Sequence, residues 1–168
     1  MGADRLLVMA NGRLAQPGSH AELVAREGAY KALWEKQHGF ALDAAHHRAE
    51  ISIDRLRLVP VFYAIADHVL AEATHRFRTE ECPANHVVLR EGEFGACLYI
   101  IVRGIVELLK TSADGVATRT LVLEDGDCFG ERALLESMPE HESARTLTPC
   151  VFLTLNRAEY LSMQQPPV

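Results

Sequence analysis

The sequence predicts an α+β protein: an eight-stranded antiparallel β-roll, jelly-roll-like, with flanking helices and a separate hairpin-helix fragment in front. Three observations lead there. After Pro83, short runs rich in β-branched and aromatic residues recur every ~8–12 residues, separated by Gly and Asp turn residues. Helical apolar spacing brackets that region, at Leu56–Leu70 and again from Asn156 onward. The opening 37 residues carry their own turn and cap signals but too few large apolar side chains to fold alone.

Along the chain, Leu6–Ala10 and Arg13–Gln16 flank Asn11-Gly12, a pair suited to a type I′ turn because both central positions need φ > 0. Pro17-Gly18 is expected to break the chain. Ser19-His20-Ala21-Glu22 reads as a capping box, in which the Ser19 hydroxyl and the Glu22 carboxylate reciprocally satisfy helix-start amides. Gly28 interrupts that helix, and Tyr30, Leu33, Trp34 and Gln37 mark one face of a second. Residues 38–54, Ala- and His-rich without Pro, are expected to be a linker or a loose helix. The domain division is therefore 1–37, a linker over 38–54, and a roll over 55–168. Within the roll, Leu56, Leu58, Val61, Phe62, Ile65 and Val69 give an amphipathic helical stretch interrupted at Pro60. Strands are predicted at His86–Leu89, Leu98–Val102, Val106–Leu109, Arg119–Leu123 and Val151–Leu155. Gly92, Gly104, Gly126 and Gly130 fall at the sharp turns, where a residue without Cβ tolerates positive φ. A helix then begins at Asn156–Tyr160, and Gln164-Gln165-Pro166-Pro167 follows.

Charge narrows the partners. The chain has 17 Lys and Arg against 23 Asp and Glu, a formal net charge of -6. Residues 1–50 balance, while Val122–Glu142 holds seven acids (Glu124, Asp125, Asp127, Glu131, Glu136, Glu140, Glu142) against Arg132 alone. A nucleic-acid partner needs a basic patch to displace counterions, and this stretch is the reverse. The longest run without a polar residue, Leu58–Ala66, is far short of the ~18 residues that span a bilayer, so a cytoplasmic chain without membrane contact of its own is expected. The four cysteines are widely spaced, without a C-x-x-C pair, and His46-His47 lacks ligands at convincing spacing. No metal site is expected, and the thiols read as reduced and mostly buried.

The segment ADRLLVMANGRLAQPGSHAELVAREGAYKALWEKQ, Ala3–Gln37, resembles the extreme C-terminal end of the nucleotide-binding domain of ABC exporters, where a hairpin of this wording is followed by G-[ST]-H-x-E-L. The resemblance implies a parent transporter ATPase as partner. The chain itself lacks the phosphate-cradling G-x-x-x-x-G-K-[ST], since Lys31, Lys36 and Lys110 are its only lysines and none follows a Gly. His20 matches the post-switch motif, so it reads as a cap-region residue. No catalysis by this chain is expected.

A second resemblance covers roughly Leu56–Met163. PANHVVLREGEFGACLYIIVRGIVELL, LEDGDCFGERALLESMP and LTPCVFLTLNRAEY resemble a cyclic nucleotide-binding domain. In that family the ligand sits against a short helix, the phosphate-binding cassette, which opens F-G-E-x-A-L and continues to an Arg in P-R-[SAT]-A. Phe129, Gly130, Glu131, Ala133 and Leu134 match the opening. The resemblance implies that Glu131 accepts from the ribose 2′-OH and that amides near Ala133 and Leu134 receive a phosphate oxygen. Counted without gaps, Pro139 matches the family's Pro, so Glu140 stands where the phosphate Arg is kept, and His141 and Glu142 take the next two small positions. Ser143 closes the segment and has no positioned base. A carboxylate at ~5 Å from a phosphodiester is repelled by about 3 kcal/mol at an effective dielectric of ~20, where an Arg would be attracted by as much. Arg145 would reach the phosphate only by a register shift, and Arg132 is expected to point outward from the cassette helix.

The function expected is a regulatory module of an ABC-transporter-type protein, with a cyclic nucleotide-binding-like domain whose degenerate cassette binds cAMP or cGMP weakly or not at all. Two alternatives stand beside it: a working cyclic-nucleotide site, and a ligand-independent interaction domain.

Overall fold

The structure, a computed structural model, describes residues 6–10, 13–26, 28, 30–31, 40–43, 48–136 and 138–164. Two compact units divide at Gly39 and Phe40.

In the first unit, β1 (Leu6–Ala10) pairs antiparallel with β2 (Arg13–Gly18), Ala10 opposite Arg13, with a bulge between Val8 and Met9. Asn11 and Gly12 lie outside the described residues. The expected break at Pro17-Gly18 is corrected: β2 runs through both residues, with Pro17 opposite Leu7 and Gly18 opposite Leu6. An edge strand of a lone hairpin tolerates a residue without an N–H. The capping box forms at the start of α1 (His20–Ala25), where the Glu22 amide donates to Ser19 Oγ at 3.3 Å and the Ser19 amide donates to Glu22 Oε2 at 2.8 Å. Of the second predicted helix, Leu33, Trp34 and Gln37 lie outside the described residues.

The second unit begins where a linker was expected. Residues 40–51 instead form a hairpin of β3 (Phe40–Asp43) and β4 (Arg48–Ile51), whose Ala49 and Ile51 are buried in the core. Its intervening residues 44–47 lie outside the described ones. Next come α2 (Ile53–Leu56), capped by Ser52 Oγ, a 3-10 turn at Pro60–Phe62, and α3 (Asp67–Ala73). The helical stretch predicted as one is thus split, because Val59 and Ala66 are extended, the former as the residue before a proline tends to be.

Eight strands make the roll: β5 (Arg78–Cys82), β6 (Val87–Leu89), β7 (Cys97–Arg103), β8 (Val106–Thr111), β9 (Ala117–Leu123), β10 (Cys128–Phe129), β11 (Ser143–Thr146) and β12 (Cys150–Asn156). They form two four-stranded antiparallel sheets, ordered β10-β7-β12-β5 and β6-β11-β8-β9. The apolar runs LYIIV and VFLTL follow from burial on both faces. Leu98, Ile100, Leu153 and Leu155 point toward the helices, packing with Leu56, Phe62, Leu70 and Tyr160. The alternate residues Tyr99, Ile101 and Phe152 point toward the other sheet, packing with its Val106, Leu123 and Ala144 and with Phe129 of their own sheet. There Tyr99 stacks on Phe129 at 5.0 Å, and both meet Phe152 edge-on.

All four glycines placed at sharp turns have φ between 78° and 115°. At Gly104 an added Cβ would lie 2.5 Å from Cys150 Sγ, and at Gly130 2.6 Å from the Cys97 carbonyl, so neither position admits a side chain. The last of the described elements is α5 (Arg157–Gln164), where the Asn156 side chain accepts from the Glu159 amide and the Tyr160 hydroxyl donates to the Val61 carbonyl.

Candidate functional site

The cassette residues sit where two strands turn over a short helix. β10 anchors Phe129 by its stack on Tyr99, Gly130 turns the chain tightly, and α4 (Arg132–Leu135) follows before the chain reaches Pro139, bridged to Phe94, and β11. The walls enclose a cavity of about 260 Å3. One side is apolar, from Leu89, Leu108, Leu121, Leu123 and Ala144; the other is ionisable, from Glu131, Arg132, Glu140, His141 and Glu142. A second cavity of about 180 Å3 opens between β6 and β7, beside Arg90, Glu93, Phe94 and Gly95. Glu140 is part of the wall of both.

Of the site residues predicted from sequence, Phe129, Gly130, Glu131, Glu140, His141 and Glu142 line the cavity. Ala133 and Leu134 are buried and not in its lining. Their amides donate to the Gly130 and Glu131 carbonyls at 3.1 and 3.0 Å, so the expectation that they receive a phosphate oxygen is corrected: the four-residue helix uses them to close its own turn. Ser143 faces elsewhere too, its hydroxyl accepting from the Glu91 amide at 3.0 Å.

Glu140 is fixed at both backbone groups. Its amide donates to the Glu93 carbonyl and its carbonyl accepts from the Gly92 amide, each at 2.8 Å. The side chain lies against the bare Cα of Gly95, where an added Cβ would come within 2.2 Å of Oε1. The residue is 8% exposed, and its Oε1 is buried without a hydrogen-bond partner. Burial pushes the carboxyl above its ordinary range, opposed by the positive charge of Arg132 and reinforced by Glu131.

The arginines are placed differently from expectation. Arg132 is among the residues that line the cavity, its guanidinium held by the exposed Glu136 at 2.9 Å and Met138 Sδ at 3.6 Å, with its Nε buried and unpartnered. A helix of one turn offers no periodicity from which a facing could be read. Arg145, on β11, is committed to the other face of its sheet. There Glu107 of β8, 1% exposed, takes Arg145 Nε on Oε1 at 2.7 Å and Arg119 Nε on Oε2 at 2.6 Å. Burial pushes Glu107 up, but the hydrogen bonds from Arg145 and Arg119 outweigh it and hold the carboxyl below its usual range. Arg145 is therefore occupied as the partner of a buried carboxylate.

Glu131 accepts a hydrogen bond from Cys128 Sγ at 3.2 Å, and burial together with that carboxylate raises the thiol's pKa. A raised pKa disfavours the thiolate, the form in which a cysteine reacts. Neither Cys128 nor Arg132 was singled out from the sequence as a site residue. Among the described residues no group of His, Cys, Asp and Glu could hold a metal ion, and no helix is long and apolar enough to cross a membrane.

Residues 79–165 match the family model of the cyclic nucleotide-binding domain. The CRP-like cAMP-activated global transcriptional regulator of Mycobacterium tuberculosis is 29% identical over 97 residues, 58% of this chain and 43% of that protein. The cAMP-dependent protein kinase regulatory subunit of Yarrowia lipolytica is 26% identical over 125 residues, 74% of this chain and 32% of that one. Among solved structures, the regulatory domain of Toxoplasma gondii PKA with cAMP superposes with a TM-score of 0.62 at 27% identity, covering 66% of this chain and 42% of the other. The chain spans less than half the length of these curated relatives.

Proposed function

Because this chain belongs to the cyclic nucleotide-binding domain family, we propose that it is a ligand-sensing regulatory module whose cassette has lost most of its affinity for cAMP and cGMP. The observation that carries this reading is the buried Glu140 in the cavity wall, at the position where the resemblance places a phosphate-pairing Arg. Two further features support it. Arg145 is held by Glu107 on the other face of its sheet, and Arg132 is half-neutralised by Glu136 while Glu131, Glu140 and Glu142 surround the same space. A cyclic phosphodiester would bring its charge into a net acidic enclosure.

The module is carried on an ABC-transporter-type protein, at the cytosolic face of the membrane, with the transporter's ATPase and membrane domains as its partners. The support for that context is the wording of Ala3–Gln37, with its capped α1. On this reading the chain performs no catalytic step. It passes occupancy of the roll to the ATPase by whatever contacts differ between the liganded and empty states.

The relatives' names favour a second reading, a working cAMP or cGMP site. Ligand-dependent thermal unfolding separates the two. Saturating cAMP or cGMP is expected to leave the transition of the wild-type chain unmoved and to raise that of Glu140→Arg. A rise of several degrees in the wild type would establish the second reading.

A further inference from the structure

In the sheet ordered β10-β7-β12-β5, β12 has β7 on one flank and the edge strand β5 on the other. Cys150, the first residue of β12, stands directly opposite Cys82, the last residue of β5. On its other flank lies Gly104, where an added Cβ would be 2.5 Å from Cys150 Sγ. Both cysteines belong to the core between the two sheets, so their side chains leave the same face. Directly opposed residues of an antiparallel pair have Cα atoms about 4.5 or 5.5 Å apart, and a disulfide takes Cα separations of about 4.4–6.8 Å. The other two cysteines are not so placed: Cys97 faces Asn156, and Cys128 faces Ile100.

All four thiols are free. The Cys150 sulfur sits over the bare Cα of Gly104, donating weakly to the Thr148 and Ile105 carbonyls at 3.3 and 3.6 Å. A change of χ1 rotamer turns it from Gly104 toward Cys82 and gives up those two contacts. Cys82 Sγ makes one long contact, to Glu80 Oε1 at 3.9 Å. Burial and the Glu80 carboxylate push the Cys82 thiol up to about 11, and burial raises Cys150 as well, so the closed pair is slow to oxidise. The route to it is the edge. β5 is the outermost strand, and Cys82 at its end is 7% exposed against 2% for Cys150. Pro83 follows with no amide to extend the ladder.

We infer that Cys82 and Cys150 are a redox-active pair, joined across β5 and β12 by a reversible disulfide when a small soluble disulfide, oxidised glutathione, is the oxidant. The Cys82 thiolate attacks one sulfur of oxidised glutathione, forming a mixed disulfide and releasing one glutathione thiolate. The Cys150 thiolate then attacks the Cys82 sulfur, forming the cross-strand bond and releasing the second. Two electrons pass to the oxidant, and the two thiol protons end on the two glutathione molecules. The bond closes a covalent loop that contains β6 to β11 and α4, and with them every residue lining the cassette cavity. It restrains those walls without entering the cavity, whatever ligand the cavity takes.

The test incubates the native full chain with excess oxidised glutathione, alkylates the remaining thiols in denaturant and maps the unreduced digest by mass spectrometry. A Cys82 peptide linked to a Cys150 peptide is expected, two hydrogens lighter than the reduced pair, with Cys97 and Cys128 outside any cross-link. The oxidised protein is expected to melt several degrees above the reduced one, and a dithiol reductant to bring the transition back. Cys150→Ala, first shown to melt cooperatively, is expected to stop at the glutathione adduct on Cys82, which thiols that only fill the core would not form. If that variant does not fold, the wild-type map still decides. An oxidised wild type without the Cys82–Cys150 link, with either thiol linked to Cys97 or Cys128, or melting below the reduced form overturns the inference. So does a link that forms only in denaturant.

Discussion

An unpaired oxygen on a buried carboxylate costs about 1–3 kcal/mol, more when the group is ionised. Glu140 carries that cost in the unliganded fold. The groups facing it are Arg132 and Glu131 from the cassette, with Glu93 and Arg90 beside the second cavity; of these, Arg132 lowers its pKa and Glu131 raises it. Because the folded pKa lies above the ordinary 4.5, the folded chain binds the proton more tightly than the unfolded chain. The stability this contributes is complete below 4.5 and is lost as pH rises through the folded value. Glu140→Gln removes the titration. Its unfolding free energy should exceed wild type at about pH 7 and lose the downward slope between 4.5 and neutrality. Urea unfolding across that range checks it; identical pH profiles for the two proteins would show that Glu140 is solvated and ordinary. Glu140's place in the segment after the cassette helix followed from counting residues, but its orphaned oxygen did not. Only the bare Cα of Gly95 and the backbone clamp to Gly92 and Glu93 show it enclosed.

Among the elements, what the sequence made legible divides along burial. β7 and β12, buried on both faces, wrote uninterrupted apolar runs and were placed to within a residue or two at each end. β5 (Arg78–Cys82) and β11 (Ser143–Thr146) were invisible. The first is an edge strand of charged residues, and the second is a short polar strand buried by its neighbours, with Thr146 Oγ1 donating to the Pro83 carbonyl at 2.6 Å. Neither has the composition that announces a strand, because tertiary pairing holds them. The hairpin over residues 40–51 was hidden in the same way. Its Ala49 amide donates to Thr79 Oγ1 at 2.8 Å, and Ile51 is 4% exposed in the helix-side core. Ile51→Ala should therefore destabilise the roll by about 2–4 kcal/mol in denaturant unfolding. A change under about 0.5 kcal/mol would mean that the segment is the linker its composition suggested.

For the whole molecule, the chain's charge and its fold meet at one place. The net charge of -6 equals the excess in Val122–Glu142, and the structure puts three of those acids, Glu131, Glu140 and Glu142, around the cavity with one arginine. The roll and five of its eight strands were legible from the spacing of turns, because glycines at positive φ mark several of the reversals between strands. The place of Arg132 in the cavity wall, the engagement of Arg145 by Glu107 and the self-satisfied amides of α4 required three dimensions. Among the described residues, Arg132 is the one arginine in the cavity wall, paired with Glu136, and the proposed weakening of the cassette rests on Glu140 beside it. The affinity ratio for cAMP and cGMP between Glu140→Arg and wild type, taken by calorimetry on the full chain, tests that claim most directly. Reversing the charge should tighten binding by at least about a hundredfold. Submicromolar binding by wild type, with no gain in Glu140→Arg, would contradict it.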